Sequence, residues 1–318
     1  MKLCVFPKDS IFRRNILRTV EHRDYNMELI QCPDCKSGLR KNEVDFVCQN
    51  CKKKFPIKNN IAIIVSDPLS HLKFINQKIK EKENWYRGDQ IFSYDKGPYR
   101  FHLRKRIEFV KRIINDYLKN DKEKRILDLG CGDGQNLRWL ASFSNDLWAT
   151  DYNFLRLSRA EKNLSVLGIK VRFFLTDIVS LPFEEESFDI VFFNHVIEHL
   201  RNDLQSLQNV YKVTKKGGLV IIGTPNEGAL AWRLAYKIEP KTKRETDHVN
   251  FYTAESFAEL SKRAGFKIRH IEHLGWGIPV WSLDMRIRKY KFVDDFFEVF
   301  GKKFFKKQAT SLYIVLEK

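Results

Sequence analysis

Residues 125–134 read Arg125-Ile-Leu-Asp-Leu-Gly-Cys-Gly-Asp-Gly134, an apolar run that passes directly into three alternating glycines. Ile126, Leu127 and Leu129 have the character of a buried strand. Gly130, Gly132 and Gly134 allow a sharp turn and close backbone approach to a ligand, which a Cβ would obstruct. A helix expected over residues 135–143, through Leu137, Trp139 and Leu140, would present its N-terminus to that ligand. Asp128 stands inside the strand ahead of the glycines. Leu147-Trp-Ala-Thr-Asp151 reads as a second strand ending in a carboxylate, where a ribose diol can be gripped bidentately.

The alternation continues along the chain. Residues 171–177 form a third expected strand closing on Asp177, and residues 188–194 a fourth closing on Asn194. Residues 217–223, 266–273 and 311–317 supply the remaining strands, with helical segments over 155–167, 203–213 and 254–264. Strands alternating with helices specify an α/β fold, a doubly wound, Rossmann-like parallel sheet whose ligands sit at the carboxyl ends of the strands.

In this order the motifs resemble the class I S-adenosylmethionine (SAM) methyltransferases, over residues 99–318. The resemblance implies a seven-stranded methyltransferase sheet and SAM as cofactor. It assigns cofactor binding to Asp128, Gly130, Cys131, Gly132, Gly134, Asp151, Tyr152, Asp177, Ile178 and Asn194. The glycines would cradle the methionine portion with Asp128 bracing the loop. Asp151 would hold the ribose, Asp177 the adenine amine, and Asn194 would stand beside the sulfonium. The spacing is G-x-G-x-G rather than the G-x-G-x-x-G of dinucleotide sites, a tighter loop suited to a cofactor without a pyrophosphate.

The first part of the chain carries different chemistry. Cys32-Pro-Asp-Cys35 and Cys48-Gln-Asn-Cys51 are two C-x-x-C knuckles separated by twelve residues, a spacing that brings four thiolates to one tetrahedral zinc. Four cysteines leave no open position, so the ion would be structural. Residues 54–65 add apolar strand residues around a turn at Asn59-Asn60. Residues 29–67 thus read as an N-terminal Cys4 zinc-ribbon domain, similar to the small zinc-ribbon proteins that activate RNA and translation-factor methyltransferases. Residues 1–28 read as a basic arm with Arg13, Arg14, Arg18 and Arg23. Residues 68–98 read as a helical linker or lid, after which Tyr99, Arg100 and Arg104 are candidates to meet the cofactor carboxylate.

The formal net charge is +17 over 318 residues. Residues 1–120 hold 26 Lys and Arg against 14 Asp and Glu, so the excess is concentrated in the first part. Such an excess suits RNA or anionic lipid as well as plain solubility. No run of eighteen apolar residues occurs, so no membrane span is expected, and the charged N-terminus does not read as a secretory signal. Paired rather than scattered cysteines favour metal over disulfides, which points to a cytoplasmic protein.

Past the fourth strand stands Asn194-His195-Val-Ile-Glu198-His199. It is similar to the E-x-x-E-H arrangement of ubiquinone-pathway O-methyltransferases and small-RNA 3′-end ribose methyltransferases, with His195 in place of the first carboxylate. The spacing sets His195, Glu198 and His199 on one side of a helical turn. His248, in Asp247-His-Val-Asn-Phe-Tyr-Thr253, resembles the further histidine of the RNA enzymes. These four are the candidate catalytic residues. A histidine among them would act as general base, or the set would hold a second divalent ion of the Zn, Mn, Fe or Ni kind. Two insertions, 227–250 and 275–309, flank the acceptor side, where Thr224-Pro-Asn226 should also lie. The second insertion alternates phenylalanine with lysine, which suits dimer contacts, nucleic acid or a membrane surface through residues 286–307. The expected activity is SAM-dependent O-methylation of a small-molecule or glycan-like acceptor. RNA ribose 2′-O-methylation and a SAM-fold adaptor without catalysis are the alternatives.

Overall fold

The computed structural model describes residues 25–81 and 93–318. The basic arm up to residue 24, and Trp85 and Tyr86 of the linker, lie outside the described residues. Among the described residues eleven strands run in chain order: β1 Leu39–Lys41, β2 Asp45–Cys48, β3 Lys54–Lys58, β4 Ile61–Ile63, β5 Arg125–Leu129, β6 Asp146–Asp151, β7 Arg172–Leu175, β8 Phe188–Asn194, β9 Thr214–Pro225, β10 Lys267–Leu274 and β11 Ser311–Glu317. The helices are α1 Pro68–Glu81, α2 Ser93–Lys96, α3 Arg100–Leu118, α4 Leu137–Leu140, α5 Phe154–Val166, α6 Asp203–Val213, α7 Leu230–Ile238, α8 Pro240–Thr246, α9 Ala254–Arg263, α10 Trp281–Arg288 and α11 Lys291–Phe304.

All eleven strands form one sheet in the order β1-β2-β3-β4-β7-β6-β5-β8-β9-β11-β10. The expected seven strands are the contiguous stretch from β7 to β10, and the expectation that the sheet ends there is corrected. Its cause is β4, which pairs in parallel with β7 through Ile61↔Phe173, Ala62↔Phe174 and Ile63↔Leu175. The edge that β7 would otherwise expose is covered by the cysteine-bearing hairpins. Asn59 and Asn60 both adopt positive φ, 52° and 59°, the two-residue turn that carries β3 into β4.

The hairpins also share the hydrophobic core of the large sheet. Tyr25 packs edge-on against Phe46 at 5.3 Å and against Phe174 of β7 at 5.7 Å. Phe174 in turn stacks on Trp148 of β6 at 5.2 Å, and Phe183 and Phe188 close the cluster. Each such buried aromatic side chain contributes on the order of 1.5–3 kcal/mol. The helix expected over 135–143 is shorter than its sequence pattern. Only the turn of α4 is α-helical; beyond it the amides of Ser142 and Phe143 bond to the carbonyl three residues back.

Candidate active site

The parallel strands β5, β6 and β8 deliver their carboxyl ends to one cleft. There the glycine turn is held open by conformation. Gly130, Gly132 and Gly134 have φ of 75°, 55° and 82°, and a Cβ at Gly130 or Gly132 would lie 2.5 Å from Val196 or Arg156. Asp151, at the end of β6, locks this turn. Its Oδ2 accepts from the Gly132 amide and its Oδ1 from the Asn153 amide, both at 2.8 Å. Each oxygen retains a second lone pair for a ligand hydroxyl.

A cavity of about 260 Å³ opens beside the turn. Gly130, Cys131, Gly132, Asn194 and His195 line it, together with Arg106 and Tyr313. Asn194 is oriented by the Tyr313 hydroxyl, which donates to its Oδ1 at 2.9 Å. Asp128 lies behind the loop, fully buried, and its Oδ2 has no hydrogen-bond partner among the described residues. Burial and the neighbouring Asp151 charge push its pKa up to about 8. Tyr152, Asp177 and Ile178 stand away from this cavity. Asp177 caps the turn Ile178–Ser180 through the Val179 amide at 3.1 Å. Tyr152 meets Phe74 of α1, ring centroids 6.0 Å apart, and His71 of the same helix lies in the field of Asp177 and Asp151. Lys78, further along α1, pairs with Asp247 at 2.9 Å.

The acceptor side is built from side chains of distant segments. His195 has φ of 53°, and its amide donates to the Gly223 carbonyl at 2.8 Å. The residue is thereby turned out of line with β8. Its Nδ1 lies 3.1 Å from Glu198 Oε1, and its Nε2 lies 3.4 Å from Arg106 Nη1 at the cavity wall. A guanidinium only donates, so this pairing places the imidazole proton on Nδ1. Glu198 is 1 % exposed, and its other oxygen accepts from Thr224 Oγ1 at 3.4 Å. Burial alone would raise the Glu198 pKa, yet the hydrogen bond and charge of His195, with that of His199, hold it below the usual range.

The expectation of one shared helical face for His195, Glu198 and His199 is corrected. The positive φ at His195 precedes a single 3-10 turn, Ile197–His199, so His195 lines the cavity while Glu198 points inward. Glu198, His199 and His248 instead form a cluster whose ligand atoms lie within 4.8 Å of one another. Two main-chain bonds, from the Val249 and Asn250 amides to the Glu198 carbonyl at 2.9 and 3.1 Å, stitch the distant His248 segment onto this turn. His199 Nδ1 donates to the Asp247 carbonyl at 3.1 Å and His248 Nδ1 faces Glu227, which leaves both Nε2 atoms for the cluster. The third partner of His195, Arg106, had no distinguishing signal on the charged face of α3. Tyr99, Arg100 and Arg104 do not line the cavity; Arg100 donates to the Lys289 carbonyl at 3.3 Å. Asn226 ties down the Lys307 and Ala309 carbonyls rather than facing the cavity.

An α/β sheet whose parallel centre carries a glycine turn, a carboxylate at the end of β6 and a cavity lined by Arg106 and Arg156 has the layout of a nucleoside-cofactor fold. Residues 102–271 match the family described as a methyltransferase domain, and the chain belongs to that family. It is similar to a probable S-adenosylmethionine-dependent methyltransferase of Mycolicibacterium smegmatis, 25% identical over 51% of this chain and 59% of that protein. It therefore spans less than two thirds of that relative's length. A ubiquinone biosynthesis O-methyltransferase of Rickettsia akari is 24% identical over 61% of this chain and 78% of its own. Among solved structures, the PH0226 protein of Pyrococcus horikoshii superposes with a TM-score of 0.50 at 19% identity, covering 74% of this chain and 98% of its own. That likeness concerns the fold.

The four cysteines converge in the hairpins. Their sulfurs lie within 4.8 Å of one another, with Cys35 and Cys48 3.4 Å apart and Cys32 and Cys51 3.8 Å apart. A tetrahedral ion with Zn–S of ~2.3 Å sets its sulfurs ~3.8 Å apart, so the spacing suits zinc.

Proposed function

We propose that the protein methylates a hydroxyl oxygen of a small-molecule or glycan-like acceptor from SAM, with His195 as the base. The observation that carries this reading is the His195–Glu198 pair, with Nδ1 tied to a buried carboxylate and Nε2 at the cavity wall. The residues present suit SAM: two neighbouring buried acids, Asp128 and Asp151, call for a cation, and Arg106 and Arg156 offer positive charge to a carboxylate. Bound there, SAM supplies an electrophilic methyl group on a sulfonium. Gly130, Cys131, Gly132 and Gly134 would hold its amino-acid portion, Asp151 the ribose, and Tyr152, Asp177 and Ile178 the adenine, beside α1. Asn194, fixed by Tyr313, orders the approach to the reacting centre.

An acceptor hydroxyl that displaces Arg106 from His195 Nε2 gives its proton to that nitrogen, and Glu198 stabilises the imidazolium through the Nδ1–H bond. Glu198, His199 and His248 would hold a divalent ion of the Zn or Mn kind as an alternative means of acidifying that hydroxyl. Turnover measured with labelled SAM on a panel of hydroxyl and amine acceptors separates these roles. For a hydroxyl acceptor, His195→Gln should lower kcat by about 10²–10⁴-fold with unchanged cofactor affinity, and chelation should leave the wild type active. Transfer to amines only, or unaltered kcat in the variant, overturns the base. Activity lost on chelation and restored by Mn gives the chemistry to the ion.

Cys32, Cys35, Cys48 and Cys51 are assigned a structural zinc, closed to substrate because all four positions are filled by protein. Elemental analysis should find one zinc per chain and lose it in Cys48→Ser. Retention of a full equivalent in that variant contradicts the ligand set.

A further inference from the structure

We propose that the outer face of α11 docks on an anionic lipid surface. Phe292, Phe296, Phe300 and Phe304 recur at i, i+4 steps and form one row along the helix. They are 73%, 61%, 41% and 58% exposed, and Val299 and Phe305 widen the strip. The rings touch one another: Phe296 stacks on Phe300 at 5.5 Å, and Phe300 meets Phe304 at 4.8 Å. A contiguous apolar strip of this kind marks an interaction surface rather than scattered exposure.

The helix cannot roll to hide this row. Its opposite face carries the buried Asp294, which accepts from Arg288 Nη1 at 2.5 Å and pairs with Lys105 at 2.6 Å. Gly301 lies flat on Trp276, whose Nε1 donates to the Phe305 carbonyl at 2.8 Å. Turning the row inward would pull the buried, ion-paired Asp294 carboxylate away from its partners and leave their charges uncompensated.

Charge selects the occupant. Residues 286–307 hold eight Lys and Arg against three Asp and Glu. The three acids are already paired: Asp294 with Arg288 and Lys105, Asp295 with Lys105 and Lys291, and Glu298 with Lys302. What remains outward is cationic. Lys303 rises from within the row, 5.3 Å over the Phe304 ring, and Lys306 stands at its end beside Lys307, which pairs with Glu255 at 3.6 Å. Aromatic rings sinking to the acyl boundary while lysines reach the headgroups is the arrangement of an interfacial helix on anionic lipid. A second copy would bring two lysine rims together, and residues 1–24 carry the same sign through Arg13, Arg14, Arg18 and Arg23. Nucleic acid matches the charge, but its bases need ring faces, and Phe296 and Phe300 already stack on each other.

The test is sedimentation of the full chain with vesicles of phosphatidylcholine alone or mixed with phosphatidylglycerol. Binding should require the anionic lipid and weaken as salt rises. Phe296→Ser/Phe300→Ser should weaken it about tenfold or more, and Lys303→Glu/Lys306→Glu should weaken it about thirtyfold or more, ~1 kcal/mol for each of the two basic groups lost. Both pairs are exposed, and an unchanged thermal melt checks that they fold. A single Phe296→Trp should show a blue-shifted emission with anionic vesicles and none with single-stranded RNA. Equal binding to neutral vesicles, or wild-type binding by the phenylalanine variant, overturns the proposal. So does concentration-dependent self-association that the phenylalanine variant abolishes, or an RNA complex that it weakens while vesicles go unbound.

Discussion

Asp128 and Glu198 are both about 1% exposed, and their carboxyl groups titrate in opposite directions. Asp128, at the cofactor end, has the negative Asp151 nearby and an oxygen with no partner among the described residues, so burial pushes its pKa up to about 8. Glu198, at the acceptor end, meets the same desolvation, but His195 and His199 surround it and hold it below the ordinary carboxylate range. Depth of burial therefore does not decide ionisation; the charges on neighbouring side chains do. The acceptor end is electrostatically complete within the protein. At the cofactor end the Arg156 charge acts on Asp151 but not on Asp128, and SAM would bring two further cations, on the sulfonium and the amino group.

The largest effect that can break this contrast is on stability against pH. With an unfolded value near ~3.9, Asp128 favours the folded state at low pH, and that contribution is lost as pH rises towards about 8. Within this window it costs up to ~1.4 kcal/mol per pH unit. Chemical denaturation of Asp128→Asn should show that decline flattened. Glu198 has the opposite sign: its contribution is present above its unfolded pKa and is lost as pH falls through its lowered folded value. An Asp128→Asn profile parallel to wild type from about pH 4 to 8 would show that Asp128 is ionised without help, removing the contrast.

The two ends also differed in how far the sequence revealed them. The glycine turn depends on a few consecutive residues whose backbone conformation is restricted, so Gly130 to Gly134, Asp151 and the strands around them could be read locally. The acceptor end depends on contacts that no local pattern contains. His248 reaches His199 because two amides just over fifty residues away bond to the Glu198 carbonyl, and Arg106 reaches His195 from a helix that precedes β5 in the chain. The individual histidines were visible, but their division between cavity and cluster turned on one positive φ at His195. The extent of the sheet was missed for a similar reason. The three-residue strand β4 has too short a pattern to announce that it pairs with β7, more than a hundred residues later. The phenylalanines of α11 were legible as a motif, but which of them face outward followed only once Asp294 and Gly301 fixed the helix.

The central claim is that the glycine turn and Asp151 form a cofactor site independent of the acceptor end. Calorimetric titration of S-adenosylhomocysteine into the wild type and into Asp151→Ala tests it most directly. Asp151 braces Gly132 and in the proposed reading also holds the ribose, so its loss should weaken binding by about 2–3 kcal/mol, roughly 30–150-fold. Affinity in Asp151→Ala equal to that of the wild type would contradict the account.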